Sequence, residues 1–391
     1  MSMFQYFPTN YVWSLAVNGA LEGGGKIGEI DEVCRPLLEI AARGDDPGTE
    51  AFFEAWLAMG NKLVDLAQED KARGRRYSAG EKLDRAVQYF ACAERMQAHG
   101  FAPRKALYKR YIAYFQEAQD LLGARWERVE IPFGDAHLAG ILFHAEGAAE
   151  RQPIMLCVNG LDSTKEMLAR NQIARQMTQR GIACLFIDQP GTGEALRLHE
   201  MPAMVNSEAW ASKVVDYLET RADIDAKRIG MMGVSLGGYY TPRAVAFEPR
   251  FALGAVWGAN HNWGEMQKRR LNREGENPVP HYWEHVRWVW GAQDMQEFMA
   301  KAEGIHLNGI LDRIKVPFLV THGEQDRQIP LEYAHQTYDQ LVNSPKRELK
   351  VFTEREGGVH HVSLDNMSNA GAYIADWIAE NLGGQLGPAQ P

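Results

Sequence analysis

The hydrophobic period of this chain changes once, near Leu122, and that change limits the fold more than any other feature of the sequence. Before it, apolar residues recur at helical spacing. Ile30 to Ala41 carries Val33, Leu37, Leu38 and Ile40, and Thr49 to Ala72 carries Phe52, Phe53, Trp56, Leu57, Leu63, Val64 and Leu66. Ser78 to His99 is expected to open on a capping box, Ser78 with Glu81, followed by Leu83, Ala86, Val87 and Phe90. Pro103 to Leu122 adds Tyr108, Tyr111, Ile112 and Phe115. Nothing in this part reads as a long strand, so helices come first.

After Leu122, short apolar runs alternate with helical stretches. Trp126–Phe133 and Leu138–Phe143 read as a hairpin pair. Ile154–Val158 precedes a helix over Thr164–Arg180, and Ile182–Ile187 precedes one over Ser207–Thr220. Arg228–Val234 leads into a helix from Leu236, and Phe251–Trp257 follows it. Val316–Thr321 precedes Leu331–Leu341, and Glu348–Phe352 precedes Met367–Leu382. Unbroken apolar strands between helices imply a parallel sheet covered on both faces. Two lead-in strands followed by a doubly wound, mostly parallel sheet is the order of the α/β-hydrolase fold. The expected division is a helical cap domain over 1–122 and a catalytic domain over 123–383. A helical insertion of about 261–306 follows the sixth strand, and 384–391 forms a flexible tail.

Gly233-Val234-Ser235-Leu236-Gly237 fits G-x-S-x-G and lies where that pattern must lie, between a strand and a helix. A serine hydroxyl needs a base, and the base needs a carboxylate, in chain order Ser, Asp, His. His322-Gly323-Glu324-Gln325-Asp326 follows a strand, with Asp326 at the acid position and Glu324 as the competing carboxylate. Gly357-Gly358-Val359-His360-His361 then offers two histidines, which the loop by itself does not separate. The oxyanion hole should use backbone N–H groups of Leu236 and, from the loop after the third strand, Leu161.

Several features exclude other classes. A net charge of −9 argues against nucleic acid and anionic membrane as partners. No apolar run is long enough to span a bilayer, and the first ten residues do not read as a secretory signal. Cys34, Cys92, Cys157 and Cys184 lack CxxC spacing, which fits free thiols in the cytoplasm. His281 and His285, at i and i+4, have no accompanying third ligand, so no metal and no cofactor are expected. Gly191-Thr192-Gly193-Glu194 lacks the lysine and glycine spacing of a nucleotide loop and reads as a turn. Glu22 to Gly28 is a glycine-rich loop without a functional account. Tyr6 to Trp13 is too apolar for a free tail and is expected, with the insertion, to roof the active site. Tyr11, Trp13, Trp257, His261 and Trp263 are candidates for lining a small-molecule pocket there.

Four ordered blocks carry a resemblance: Gly160 to Glu166, Asp188 to Glu194, the serine turn, and Glu248-Pro249-Arg250 ahead of Trp257-Gly258. Together they resemble a group of hydrolases holding the bacterial 2,6-dihydroxypseudooxynicotine hydrolase, fungal pigment hydrolases that shorten polyketides, and fermentation–respiration-switch-like proteins. The resemblance implies hydrolysis of a carbon–carbon bond beside a ketone, and a homodimer. Its Gly-Gly-x-x-His pattern puts the base at His361, and an extra acid after the sixth strand would correspond to Glu265. Ester, lactone or thioester hydrolysis by the same residues is the alternative chemistry, and a non-catalytic binding protein on this fold is the third reading.

Overall fold

The computed structural model describes residues 3–147 and 150–387, so the end of the expected tail, 388–391, lies outside the described residues. The chain divides into two units: Ser2–Trp126 with Glu276–His285, and Glu127–Gly275 with Val286–Pro391. No described helix is long and apolar enough to cross a membrane.

The first unit is helical. The aromatic N-terminal stretch runs into α1 (Tyr11–Glu22), whose start is set by Asn10: its side-chain oxygen accepts from the Trp13 N–H at 2.9 Å. The helix expected over Ile30–Ala41 is broken into α2 (Ile27–Cys34), a 3₁₀ turn over Arg35–Leu37, and α3 (Leu38–Ala41). Pro36 opens the 3₁₀ turn because it has no N–H to continue the helical ladder. Next come α4 (Thr49–Ala72), α5 (Arg76–Arg95) and α6 (Pro103–Leu122). The expected capping box is absent: α5 begins at Arg76, Ser78 lies inside its first turn, and Arg75 makes no side-chain cap. The turn before it is set by Gly74 at φ +73°, which leaves the helix to start two residues ahead of Ser78. Helix α5 packs against both α4 and α6. Gly60 permits the first of these contacts, since a Cβ there would come within 2.2 Å of the Phe90 ring.

A buried ion pair, Arg104 Nε to Glu94 Oε1 at 2.6 Å, joins α6 to the end of α5. Arg104 also donates to the Gln97 carbonyl, and Gln97 donates to the Thr49 carbonyl. The insertion's Glu276–His285 belongs to this unit. Its His281 N–H donates to Asp46, its His281 ring bonds Thr49 Oγ1, and Arg95 donates to the Pro278 carbonyl.

The second unit follows the alternation read from the sequence. It contains β1 (Trp126–Phe133), β2 (Ala136–Phe143), β3 (Gln152–Val158), α7 (Lys165–Ala169), α8 (Gln172–Gln179) and β4 (Ala183–Ile187). Then follow α9 (Gly193–Arg197), α10 (Ser207–Glu219), β5 (Ile224–Val234), α11 (Gly237–Phe247) and β6 (Leu253–Trp257). The insertion supplies α12 (Trp263–Leu271), α13 (Tyr282–Val289), whose first four residues belong to the helical unit, and α14 (Met295–Ala302), and the chain ends with β7 (Phe318–Gly323), α15 (Leu331–Gln340), β8 (Arg347–Phe352) and α16 (Met367–Leu382). The helix expected over Thr164–Arg180 is two helices, because Asn171 takes extended geometry and caps α8 through the Ile173 N–H.

The eight strands are ordered β1-β2-β4-β3-β5-β6-β7-β8, with β2 antiparallel to β4 and parallel pairing from β4 through β8. Every residue of β3, β4 and β6 is buried, as a sheet covered on both faces requires. From β3 the chain moves one way to β4 and then jumps back across β3 to β5. The loops leaving β3 and β5 therefore diverge at adjacent strand ends, Val158 beside Gly233, the position where doubly wound sheets hold their ligands.

Candidate active site

At the end of β5 the backbone turns sharply, and Ser235 takes a left-handed φ of +56°, a conformation that costs a non-glycine residue of order 1 kcal/mol or more. The Ser235 N–H donates to the Trp257 carbonyl at 2.9 Å, tying the turn to the end of β6. Gly233 is required by the crossing, since a Cβ there would stand 2.2 Å from the Gly237 carbonyl oxygen.

Three side chains from three separate loops meet at this turn. His361 Nε2 lies 2.9 Å from Ser235 Oγ, and His361 Nδ1 lies 2.8 Å from Asp326 Oδ2. The other Asp326 oxygen accepts from the N–H groups of Gln328 and Ile329 at 2.8 and 3.0 Å. Burial by itself would raise the Asp326 pKa, but His361, His322 and the backbone donors hold it down to about 2. A charged Asp326 fixes the proton of His361 on Nδ1 and leaves Nε2 free to accept from Ser235. Glu324 takes no part: its carboxylate accepts from the Glu354 N–H.

The loops carrying these groups are braced by residues that no motif marks. Buried His322 accepts from the Ala259 N–H through Nδ1, so its Nε2 donates to the Ile329 carbonyl. Its burial lowers its pKa and keeps it neutral beneath Asp326. Asp365 accepts from three consecutive N–H groups, Gly358, Val359 and His360, at 2.8–3.1 Å. That cradle curls the glycine-rich loop so that His361, not His360, enters the chain of hydrogen bonds to Ser235. Sequence alone gives no signal for Asp365, which lies beyond the loop that it shapes.

Across the turn, Gly160 packs against the serine; a Cβ there would lie 2.9 Å from Ser235 Cβ. Gln189 fixes the Gly160 loop by a reciprocal pair, accepting from the Asn159 N–H at 3.1 Å and donating to the Asn159 carbonyl at 2.9 Å. Among the described residues, the N–H groups of Leu161 and Leu236 have no acceptor, and both residues are buried.

Other candidates stand elsewhere. The Glu265 carboxylate pairs with Arg269 at 2.7 Å, and Arg269 pairs in turn with Glu332. Glu265 lines a cleft with Lys268, Glu303 and His306, not joined to the serine by hydrogen bonds. His261 is buried and bonded to Thr337 and Asn308. Trp263 packs on Trp290 and Phe298. The Trp257 indole N–H donates to Ser363 Oγ, bracing the histidine loop. In the helical unit, Trp13 donates to the Asp45 carbonyl and packs on Phe7 and Phe52, next to partly exposed Tyr11. Two groups of ligand-type side chains lie close enough to share an ion, Glu127–His144–Asp223 and Glu166–Asp188–Glu194. Each already holds a protein cation, Arg221 and Lys165 respectively.

Residues 169–385 match the prolyl oligopeptidase family, and residues 63–258 match the FrsA-like esterases. The chain is 27% identical over 348 residues to 2,6-dihydropseudooxynicotine hydrolase of Paenarthrobacter nicotinovorans, covering 88% of each chain. It is 27% identical to the 20-hydroxy-prefusarin hydrolase FUS2 of Gibberella moniliformis, over 76% of this chain and 77% of that one. The crystal structure of 2,6-dihydroxy-pseudo-oxynicotine hydrolase shares the fold, with a TM-score of 0.77 at 24% identity over 96% of this chain and 98% of that one. On the extent of the two family matches, the chain is an α/β-hydrolase that belongs to the FrsA-like esterase family and, over its catalytic half, to the prolyl oligopeptidase family.

Proposed function

We propose that this chain hydrolyses a carbon–carbon bond beside a ketone in an aromatic or polyketide-type substrate, through an acyl-enzyme on Ser235. The observation that carries the reading is the continuous hydrogen-bond chain from Ser235 through His361 to Asp326. His361 takes the Ser235 proton as Oγ attacks the ketone carbon. The oxyanion forms against the unpaired N–H groups of Leu161 and Leu236. The carbon–carbon bond then breaks, its electrons leave on the departing carbon as an enolate or ring-stabilised carbanion, and imidazolium His361 returns the proton there. Water, deprotonated by His361, releases the acid from Ser235. This route needs no further acid, and Glu265 is engaged by Arg269.

Support for this bond class comes from the four sequence blocks and from relatives named for 2,6-dihydropseudooxynicotine and 20-hydroxy-prefusarin. The FrsA-like esterase match favours a second reading, in which the same three residues cleave an ester. Intact-protein mass spectrometry separates them. Wild type, Ser235→Ala and His361→Ala are exposed to aryl ketones, β-diketones and simple esters. An acyl adduct on Ser235 from the ketones, with release of the aromatic fragment, supports carbon–carbon hydrolysis. Adducts from esters alone leave the ester reading, and no adduct from any substrate refutes both for that panel.

A further inference from the structure

Beneath the Gly160 loop lies a charged cluster that the reaction does not use. Lys165, at the start of α7, is 1% exposed, and its ammonium contacts Asp188 Oδ2 at 2.9 Å, Glu194 Oε1 at 2.5 Å and Glu166 Oε1 at 2.6 Å. Arg128 reaches Glu194 from the other side with two bonds of 2.7 and 2.8 Å. Three buried carboxylates thus gather around Lys165, while Arg128 divides its guanidinium between Glu194 and the more exposed Glu130. The Oε2 atom of Glu166 is buried with no hydrogen-bond partner. Burial pushes the Glu166 pKa up, against the pull of Lys165, while Arg128 and Lys165 hold Glu194 at about 2 in spite of its burial.

Asp188 connects this cluster to the oxyanion loop. One of its oxygens accepts from the Lys165 N–H at 2.7 Å and from Asn159 Nδ2 at 3.3 Å, and the other accepts from the Lys165 ammonium and the Glu194 N–H. Asn159 and Lys165 bound the segment that contains Gly160 and Leu161, so a single carboxylate holds both of its ends. Asn159 Oδ1 accepts from Ser163 Oγ, which in turn accepts from the Gly160 N–H.

We infer that Lys165 is a positioning residue for the oxyanion hole: by fixing Asp188 it sets where the Leu161 N–H points relative to Ser235. The inference rests on Ser235 being the nucleophile and extends that reading to a residue at the far end of the Gly160 loop. Lys165 touches no reacting atom; its contribution is delivered through Asp188 and the loop.

The probe is a fluorophosphonate, whose P=O must enter the same hole when Ser235 displaces fluoride. The readout is the second-order rate of Ser235 labelling by intact mass, with thermal unfolding measured beside it. Lys165→Met removes the cation shared by Glu166, Asp188 and Glu194 and is expected to lower the melting temperature. Adding Glu194→Gln restores the charge balance without restoring the hold on Asp188. The double variant should regain thermal stability yet label about 10- to 100-fold more slowly than wild type, as the displacement of an oxyanion donor requires. Asp188→Asn, which keeps the shape but loses acceptors, should slow labelling similarly, and Glu166→Gln, which leaves the Lys165–Asp188 contact in place, should label within about twofold of wild type. Recovery of the rate together with stability in the double variant, or wild-type rates in Asp188→Asn, overturns the inference while the nucleophile reading stands. Failure of wild-type Ser235 to label, with Ser235→Ala as the blank, overturns the nucleophile reading and the inference with it.

Discussion

Replacing Gly160 with alanine tests, with one methyl group, the packing of the proposed oxyanion loop against Ser235, the proposed nucleophile. The added Cβ would stand 2.9 Å from Ser235 Cβ, 3.2 Å from the Val234 carbonyl oxygen and 3.3 Å from Ser235 Oγ. Ordinary van der Waals separation begins near 3.4 Å, so the loop or the serine must retreat by at least about half an ångström. The serine is held by the Trp257 carbonyl and by its turn, so the loop should yield and carry the Leu161 N–H with it. A misplacement of about 1 Å, or loss of one oxyanion donor, costs on the order of 10²-fold in rate, about 2.7 kcal/mol of transition-state stabilisation. Gly160 does not occupy the left-handed region, so alanine brings no backbone strain, and the restricted unfolded chain should offset part of the steric cost. The expected outcome is a fall in fluorophosphonate labelling, and in turnover of any substrate found by the mass-spectrometric panel, of about 10²-fold with the melting temperature nearly unchanged. Labelling within threefold of wild type would refute the claim that this loop is placed by contact with Ser235. A large loss of stability with normal activity per folded molecule would refute the assignment of Gly160 to the site.

Two further outcomes concern stability. Glu194 has a folded pKa of about 2 against an unfolded value of 4.5. Its contribution of up to about 3 kcal/mol is therefore complete above pH 4.5 and lost as pH falls towards 2. Denaturant unfolding at pH 6, 4 and 3 should show a steeper acid loss in wild type than in Glu194→Gln, and equal slopes would contradict the electrostatic account. In the helical unit, Arg104→Met leaves Glu94 buried beside a missing cation and should destabilise by about 3–5 kcal/mol. Combining it with Glu94→Leu should restore most of the lost melting temperature, and an additive double variant would show that the pair is not coupled.

The sheet and the serine turn were legible because their signals are local. Continuous apolar runs such as Ile154–Val158 and Ile182–Ile187 admit little except buried parallel strands, and Gly233 to Gly237 states its own turn. Asp326 was legible for the same reason: its two backbone donors, Gln328 and Ile329, lie within three residues of it. The choice between His360 and His361 was not written in the loop, because Asp365 decides it from outside by holding three N–H groups. Helix α1 hid behind an aromatic stretch, although Asn10, three residues before Trp13, was a readable cap. The break at Asn171 was readable in the same way, whereas the false capping box at Ser78 shows that an S-x-x-E pattern cannot by itself set a helix start against a preceding glycine turn. Glu265 illustrates a different limit. Its place after the sixth strand was readable, but its engagement by Arg269, four residues on, is settled by side-chain geometry.

The assignment of Glu276–His285 to the helical unit has a consequence for anyone who wishes to exchange parts between relatives. The backbone passes between the two units three times, after Trp126, after Gly275 and after His285. A graft that replaces only the N-terminal stretch would therefore pair a foreign helical scaffold with a native segment. His281 would then face neither the Asp46 nor the Thr49 that receive it here, and Pro278 would lose Arg95. The transferable piece is the pair of segments together, cut at three joints rather than one. Sequence change in Glu276–His285 is thereby tied to change in a stretch that ends some 150 residues earlier, so the two must diversify in step for the helical unit to keep its form.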